Sequence, residues 1–73
     1  MRRLTELRIG EAGVITGMDV YNGCNRRLLA MGFTPGTQIQ LCRRAPAGDP
    51  LLVRLRGYQL MLCRDDAAHI LLK

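Results

Sequence analysis

The chain of 73 residues contains no tryptophan and no serine, and it has one histidine, one lysine and three aromatic residues, Tyr21, Phe33 and Tyr58. With no serine and with His69 as the sole imidazole, a Ser-His nucleophile pair cannot be assembled. The glycines follow no phosphate-cradling order, and Asp65-Asp66 reads as a charged helix cap rather than an acid/base pair. No enzymatic activity is expected. Cys24, Cys42 and Cys63 are odd in number, stand 18 and 21 residues apart and form no Cys-x-x-Cys. Such spacing suits neither the paired grip of a structural zinc site nor a disulfide framework, so the thiols are expected to be reduced, with no metal and no cofactor. The opening Met-Arg-Arg-Leu-Thr-Glu-Leu has no apolar stretch of the signal-peptide kind, and no window reaches the ~20 apolar residues a membrane helix needs. A cytoplasmic location without membrane insertion is expected.

Hydrophobic residues make up 48% of the chain and charged ones 23%, so it can fold, but around a modest aliphatic core. The length allows one domain, residues 1–73, burying only ~60 to 65% of the surface of its unfolded form. Ten of the eleven cations are arginine. From Arg26 to Arg64 the net charge is +6, and the remaining residues carry −1. The positive charge is therefore regional, which favours an acidic protein surface, a phosphate-rich partner or anionic headgroups.

Leu4 and Leu7, three apart, suggest one turn tucked against the core. Gly10, Gly13 and Gly17 punctuate a β-branched stretch, Val14-Ile15-Thr16, which reads as a bent strand with a bulge or a close approach. A helix is expected over Gly23 to Met31, with Asn22 or Asn25 as its cap. Cys24, Leu28 and Met31 form its inward stripe, and Arg26, Arg27 and Ala30 lie outward or sideways. Gly32 and Phe33 fit a Schellman ending, in which Phe33 folds back on Leu28, and Pro35-Gly36 fits a type II turn.

From Thr37 the hydrophobic period becomes two. Ile39 and Leu41 share one face and Gln38, Gln40 and Cys42 the other. After the loop from Ala45 to Pro50, Leu51, Val53 and Leu55 alternate with Arg54 and Arg56, and after Gly57 come Tyr58, Leu60 and Leu62. Residues 65–68 give one helical turn, and Ile70-Leu71-Leu72 a last strand. The expected architecture is mainly β: five short strands, with one α-helix inserted between the first two, bent into a small barrel that buries its apolar faces.

The run Arg26-Arg27-Leu28-Leu29-Ala30-Met31-Gly32-Phe33-Thr34-Pro35-Gly36-Thr37 resembles the R-R-L-x-x-(L/M)-G-(L/F)-x-P-G-T signature of the FeoA family. Ala45-Pro46-Ala47-Gly48-Asp49-Pro50 resembles the family's A-P-x-G-D-P loop, and Gly57, Leu60-x-Leu62 and Ala67-x-x-Ile70 its closing segment. Leu4, Leu7, Gly10 and Glu11 are similar to its usual opening. The resemblance implies a five-stranded SH3-like barrel in a bacterial cytoplasm, without catalysis or an iron site. It implies an accessory of ferrous iron transport whose partner is FeoB, a membrane transporter with a cytosolic GTPase domain. The module also resembles the C-terminal domain of DtxR-type repressors, whose DNA-binding winged helix 73 residues cannot contain.

The residues permit two readings. A protein-interaction module would use Arg26 and Arg27 on the outer side of the helix with Arg54 and Arg56 alternating outward on a strand, and these four are the expected contact residues. The alternative is a small basic nucleic-acid-binding barrel. Single-strand readers stack bases on aromatic side chains, of which this chain has few, so no nucleic-acid partner is expected. The absence of tryptophan likewise removes the aromatic line that holds proline-rich peptides.

Overall fold

The computed structural model describes residues 2–19 and 23–73, and for residues 23–25 the backbone only. The expected caps Asn22 and Asn25, and the position of Cys24 on the inward stripe, lie outside the described residues and side chains. Six strands form one antiparallel sheet: β1 (Arg2–Arg3), β2 (Ala12–Met18), β3 (Gln38–Arg44), β4 (Leu51–Leu55), β5 (Tyr58–Leu62) and β6 (Ile70–Leu72). Their order across the sheet is β1-β6-β2-β3-β4-β5. Two helices complete the fold, α1 (Gly23–Ala30) and the single-turn α2 (Arg64–Ala67), with a 3-10 turn at Leu4–Glu6.

The strand count exceeds the expected five by one. β1 is two arginines, pairing Arg2 with Leu72 and Arg3 with Leu71. A pair of cations has no period to read, and only the docking of β6 beside it makes it a strand. The Leu4-Leu7 turn buries both leucines, and Arg44 holds it in place by donating to the Thr5 and Leu7 carbonyls at 2.8 and 2.7 Å.

β2 carries the bend. Its first half, Ala12 to Val14, pairs with β3, and its second half, Ile15 to Met18, pairs with β6 across a register shift between Ile15 and Gly17. A strand that changes partners through a bulge folds the sheet onto itself, and glycine tolerates the local geometry. At Gly13 an added Cβ would stand 3.1 Å from Leu72 Cδ1, so the absent side chain allows β6 to approach.

The period-two segments alternate as expected, with Ile39, Leu41, Leu51, Val53 and Leu55 buried. Leu28 and Phe33 join them in the core, with Leu4, Leu7, Ile15, Ile70 and Leu72 closing it. α1 ends one residue before Met31. Phe33 N–H donates to Leu28 O and Gly32 N–H to Leu29 O, both at 3.1 Å, while Gly32 takes φ +106°: the Schellman ending is realised. Gly36 follows at φ +89° in a turn closed by Thr37 N–H on Thr34 O.

Leu28→Ala should lower unfolding free energy by about 2–5 kcal/mol, because it empties a filled core site. Gly32→Ala should cost about 1–2 kcal/mol through its left-handed backbone. Urea titration checks both. Glu11 supplies a pH-dependent term: the Arg2 guanidinium above all, then the Arg8 backbone N–H, hold its carboxyl down at about 2. A depressed carboxyl adds stability that is present above its unfolded value of ~4.3 and is lost as the pH falls through its folded value. Glu11→Gln should therefore flatten the fall of urea midpoint with pH across that window, and superimposable pH profiles would count against the Arg2–Glu11 contribution.

Candidate functional site

One groove, of about 650 Å³, opens on the outer face of the sheet. Ala12 of β2, the Pro35-Gly36-Thr37 turn, Gln38 and Gln40 of β3, Arg54 and Leu55 of β4, and Arg56 just past β4 line it. The register makes this cluster: Ala12 pairs with Gln40, Gln40 with Arg54, and Arg54 with Gln59, so these side chains form one row on the solvent face. Gln40 is itself fixed by its side-chain amide, whose Nε2 donates to Gly10 O at 3.0 Å.

The four arginines expected to contact a partner have separate environments. Arg54 is exposed on β4 and has no carboxylate within ion-pair distance among the described residues. Arg56 is not on a strand. It stands past the end of β4 at φ +50°, and with Gly57 at φ +83° it forms the two-residue turn to β5. Two consecutive positive φ values are what a tight hairpin twist demands, and they remove Arg56 from the alternation. Its guanidinium folds back, donating through Nη2 to Thr34 Oγ1 and Thr37 Oγ1 at 2.7 and 2.8 Å and through Nε to Gly32 O at 3.3 Å. The Tyr58 hydroxyl donates to Met31 O beside it. A cation and a phenol thus bind the two carbonyls just past the C-terminus of α1, where the helix dipole favours positive charge.

Arg26 and Arg27 face outward on α1 and line no part of the groove. Arg27 reaches Asp66 of α2 at 2.5 Å, and the two side chains are 62% and 10% exposed. Asp66 is therefore a buried anchor between the helices as well as an acid in the first turn of α2. Arg26 has no such partner among the described residues.

Among the described residues no group of His, Cys, Asp and Glu is placed to hold a metal ion. His69 Nδ1 lies 3.1 Å from Asp19 Oδ1, whose other oxygen accepts from Arg3; these bonds, that of Arg3 first, hold the Asp19 carboxyl below its usual range. Cys42 is half-buried and Cys63 exposed, both free. At Cys63 the Asp66 backbone N–H favours the thiolate, but burial and the Asp66 and Asp49 carboxylates outweigh it and push the thiol up. That is the reverse of what a reactive cysteine requires. No helix among the described residues is long and apolar enough to cross a membrane.

Sequence reading missed the joint role of Gln38, Gln40 and the Pro35–Thr37 turn. Their outward parity was legible, but their meeting with Arg54 depends on register. If Arg56 is a staple and Arg54 a free cation, Arg56→Ala should lower stability by about 1–3 kcal/mol, and Arg54→Ala should stay within about 0.5 kcal/mol of wild type. Parallel urea titrations decide it.

The FeoA domain model matches residues 2–73. A Porphyromonas gingivalis protein described as an Fe(2+) transport protein A/Fe(2+) transporter FeoB fusion is 38% identical over 68 residues, which are 93% of this chain and 8% of that protein. The chain thus spans less than a tenth of that relative's length. The solution structure of a FeoA-like protein from Clostridium acetobutylicum superposes with a TM-score of 0.90 at 35% identity, covering 97% of this chain and 83% of the other. Stenotrophomonas maltophilia FeoA, described as a procaryotic SH3 domain protein, superposes at 0.86 with 23% identity, covering all of this chain and 91% of the other. That likeness extends to the fold. The sheet bent through β2 is therefore an SH3-like barrel, and the chain belongs to the FeoA family.

Proposed function

We propose that the chain is a non-enzymatic accessory of bacterial ferrous iron uptake, acting in the cytoplasm by binding a FeoB-type transporter. The observation that carries this reading is the Porphyromonas gingivalis relative, in which a region similar to this chain is joined to a FeoB transporter. Linking two modules in one polypeptide makes their encounter intramolecular, with effective concentrations in the ~mM range, and a separate chain must achieve the same encounter through its surface. The groove supports it: Arg54, Gln38 and Gln40 present a cation and amides beside the apolar Ala12, Pro35 and Leu55.

Of the four arginines, Arg26 and Arg54 are the contact residues, and Arg27 and Arg56 position the surfaces that carry them. The nucleic-acid alternative loses ground on Phe33, which is fully buried and offers no face for a base, leaving Tyr58 as the one exposed aromatic among the described residues. On the transporter's GTPase the chain acts by shifting a conformational population rather than by inserting an arginine. Arg27, Arg44 and Arg56 are held by bonds within the chain, and Arg43 lies on β3.

Capture of the transporter from nuclease-treated host membranes by tagged protein tests the interaction. Arg26→Glu with Arg54→Glu should weaken capture by about tenfold or more with little change in melting temperature. Arg27→Glu is a poor probe, because it sets a second carboxylate against Asp66. Undiminished capture by the double variant would place the contact elsewhere, and capture lost on nuclease treatment would favour the nucleic-acid reading. GTP hydrolysis by the partner should be stimulated modestly, with no arginine essential. A loss of about a hundredfold from one Arg→Ala variant at unchanged affinity would establish an arginine finger instead.

A further inference from the structure

The two edges of the sheet are finished differently. β1 is only two residues long, and its arginines are tied to Glu11 and Asp19. β5 is the other edge, five residues reading Tyr-Gln-Leu-Met-Leu, with no charge, proline or glycine. Exposed edges of this length are ordinarily blunted by charge, proline or a bulge, because their free backbone groups invite another strand.

Which groups are free follows from the turn. A two-residue hairpin with positive φ at Arg56 and Gly57 closes on a pair, Leu55 and Tyr58, that exchanges both backbone hydrogen bonds. Alternation gives the same exchange at Val53–Leu60 and Leu51–Leu62. The N–H and C=O groups of Gln59 and Met61 therefore point away from β4, and among the described residues no backbone group meets them. The side chains there are open as well: Gln59 is exposed, and Met61 is 58% exposed.

We propose that the free edge of β5 takes up an extended segment of a partner protein, with acidic residues at both ends of the segment, as an added antiparallel strand. The backbone of Gln59 and Met61 supplies the hydrogen bonds and Arg56 and Arg64 the charge. Arg56 and Arg64 bracket β5, and neither guanidinium has a carboxylate within ion-pair distance among the described residues: that of Arg56 bonds only neutral oxygens, and Asp49 accepts from the Arg64 backbone N–H, not its side chain. The same two residues disfavour a second copy of this chain. Antiparallel self-pairing centred on Leu60, the register of greatest overlap, would bring the turn that carries Arg56 beside the start of α2 that carries Arg64 at both ends of the pair, and like charges brought together there oppose it. The inference rests on the reading that the chain works by binding a protein, and it adds where on the fold and what kind of segment.

The probe is the peptide acetyl-Asp-Thr-Val-Thr-Val-Thr-Val-Thr-Asp-amide, titrated into isotopically labelled full-length protein and followed by amide shifts and hydrogen exchange. The Gln59 and Met61 amides, fast to exchange in the free protein, should become protected, and the same peptide with lysine in place of aspartate should bind about tenfold more weakly or worse. Met61→Pro removes an outward N–H without touching the β4 ladder, so the variant should keep its fold and lose binding by about tenfold or more. Should that variant not fold, two N-methylated peptides replace it, one methylated at the valines and one at the internal threonines. Only one set of N–H groups can face β5, so one peptide should lose binding and the other keep it.

Protection confined to Gln38, Gln40 and Arg54, undiminished binding by folded Met61→Pro, or two N-methylated peptides that both bind would overturn the proposal. So would a dimer in sedimentation equilibrium that Met61→Pro abolishes. Transporter capture separates the levels: capture that persists while the peptide and Met61→Pro results are negative overturns the edge proposal alone, whereas loss of capture by wild type overturns the binding reading beneath it.

Discussion

The fold depends on the division of β2 between two partners. A chain of this length has one sheet with which to enclose a core, and a flat sheet would leave one apolar face wet. Because Ala12 to Val14 pair with β3 and Ile15 to Met18 with β6, the sheet turns back on itself at the Ile15/Gly17 bulge. Gly13 lets Leu72 close in from β6, and Lys73 N–H reaches Val14 O at 2.8 Å to extend that contact. Ile15 from the bend, Leu28 and Phe33 from α1 and its ending, and Leu72 from the last strand then meet in one core.

The second constraint is what arginine does in a chain with almost no lysine. A guanidinium offers several donors in a fixed plane, so it can bind a group of oxygens that an ammonium could only approach singly. Arg56 uses that plane to bind the end of α1 and the turn after it to the β4–β5 hairpin, and Arg44 does the same for one carbonyl within the N-terminal turn and one just past it. Arg27 anchors α2 through Asp66. Much of the basic character is therefore internal scaffolding, and the charge left over for a partner, at Arg26, Arg54 and Arg64 and at Arg56, whose bonds are all to neutral oxygens, is sparser than the composition suggests.

The surface suits the binding role proposed for the chain. Its groove carries amides and a cation without a nucleophile, base or metal cluster among the described residues. Its one long free edge presents backbone hydrogen-bonding groups. Both features gain nothing until a second molecule supplies the complementary atoms, which agrees with a family relative joined to a transporter in a single polypeptide.

Several features that lie within one element were legible in the residues themselves. The change of hydrophobic period at Pro35-Gly36, the Schellman ending from Gly32 and Phe33, the type II turn, the punctuation of the first long strand by glycine and the family motif were all legible, because each depends on residues within a few positions of one another. The tertiary structure alone decided what depends on register and on packing between distant segments. β1 exists because β6 lies beside it, and Arg56 left the outward row because the turn needed two positive φ values. Asp66 is buried because α1 lies near enough to bring Arg27 to it, and Gln40 shares a face with Arg54 because the β3–β4 register sets them opposite. A cation at the end of a strand looks the same in sequence whether it faces solvent or a helix terminus; only the docking of that terminus 24 residues away distinguishes them.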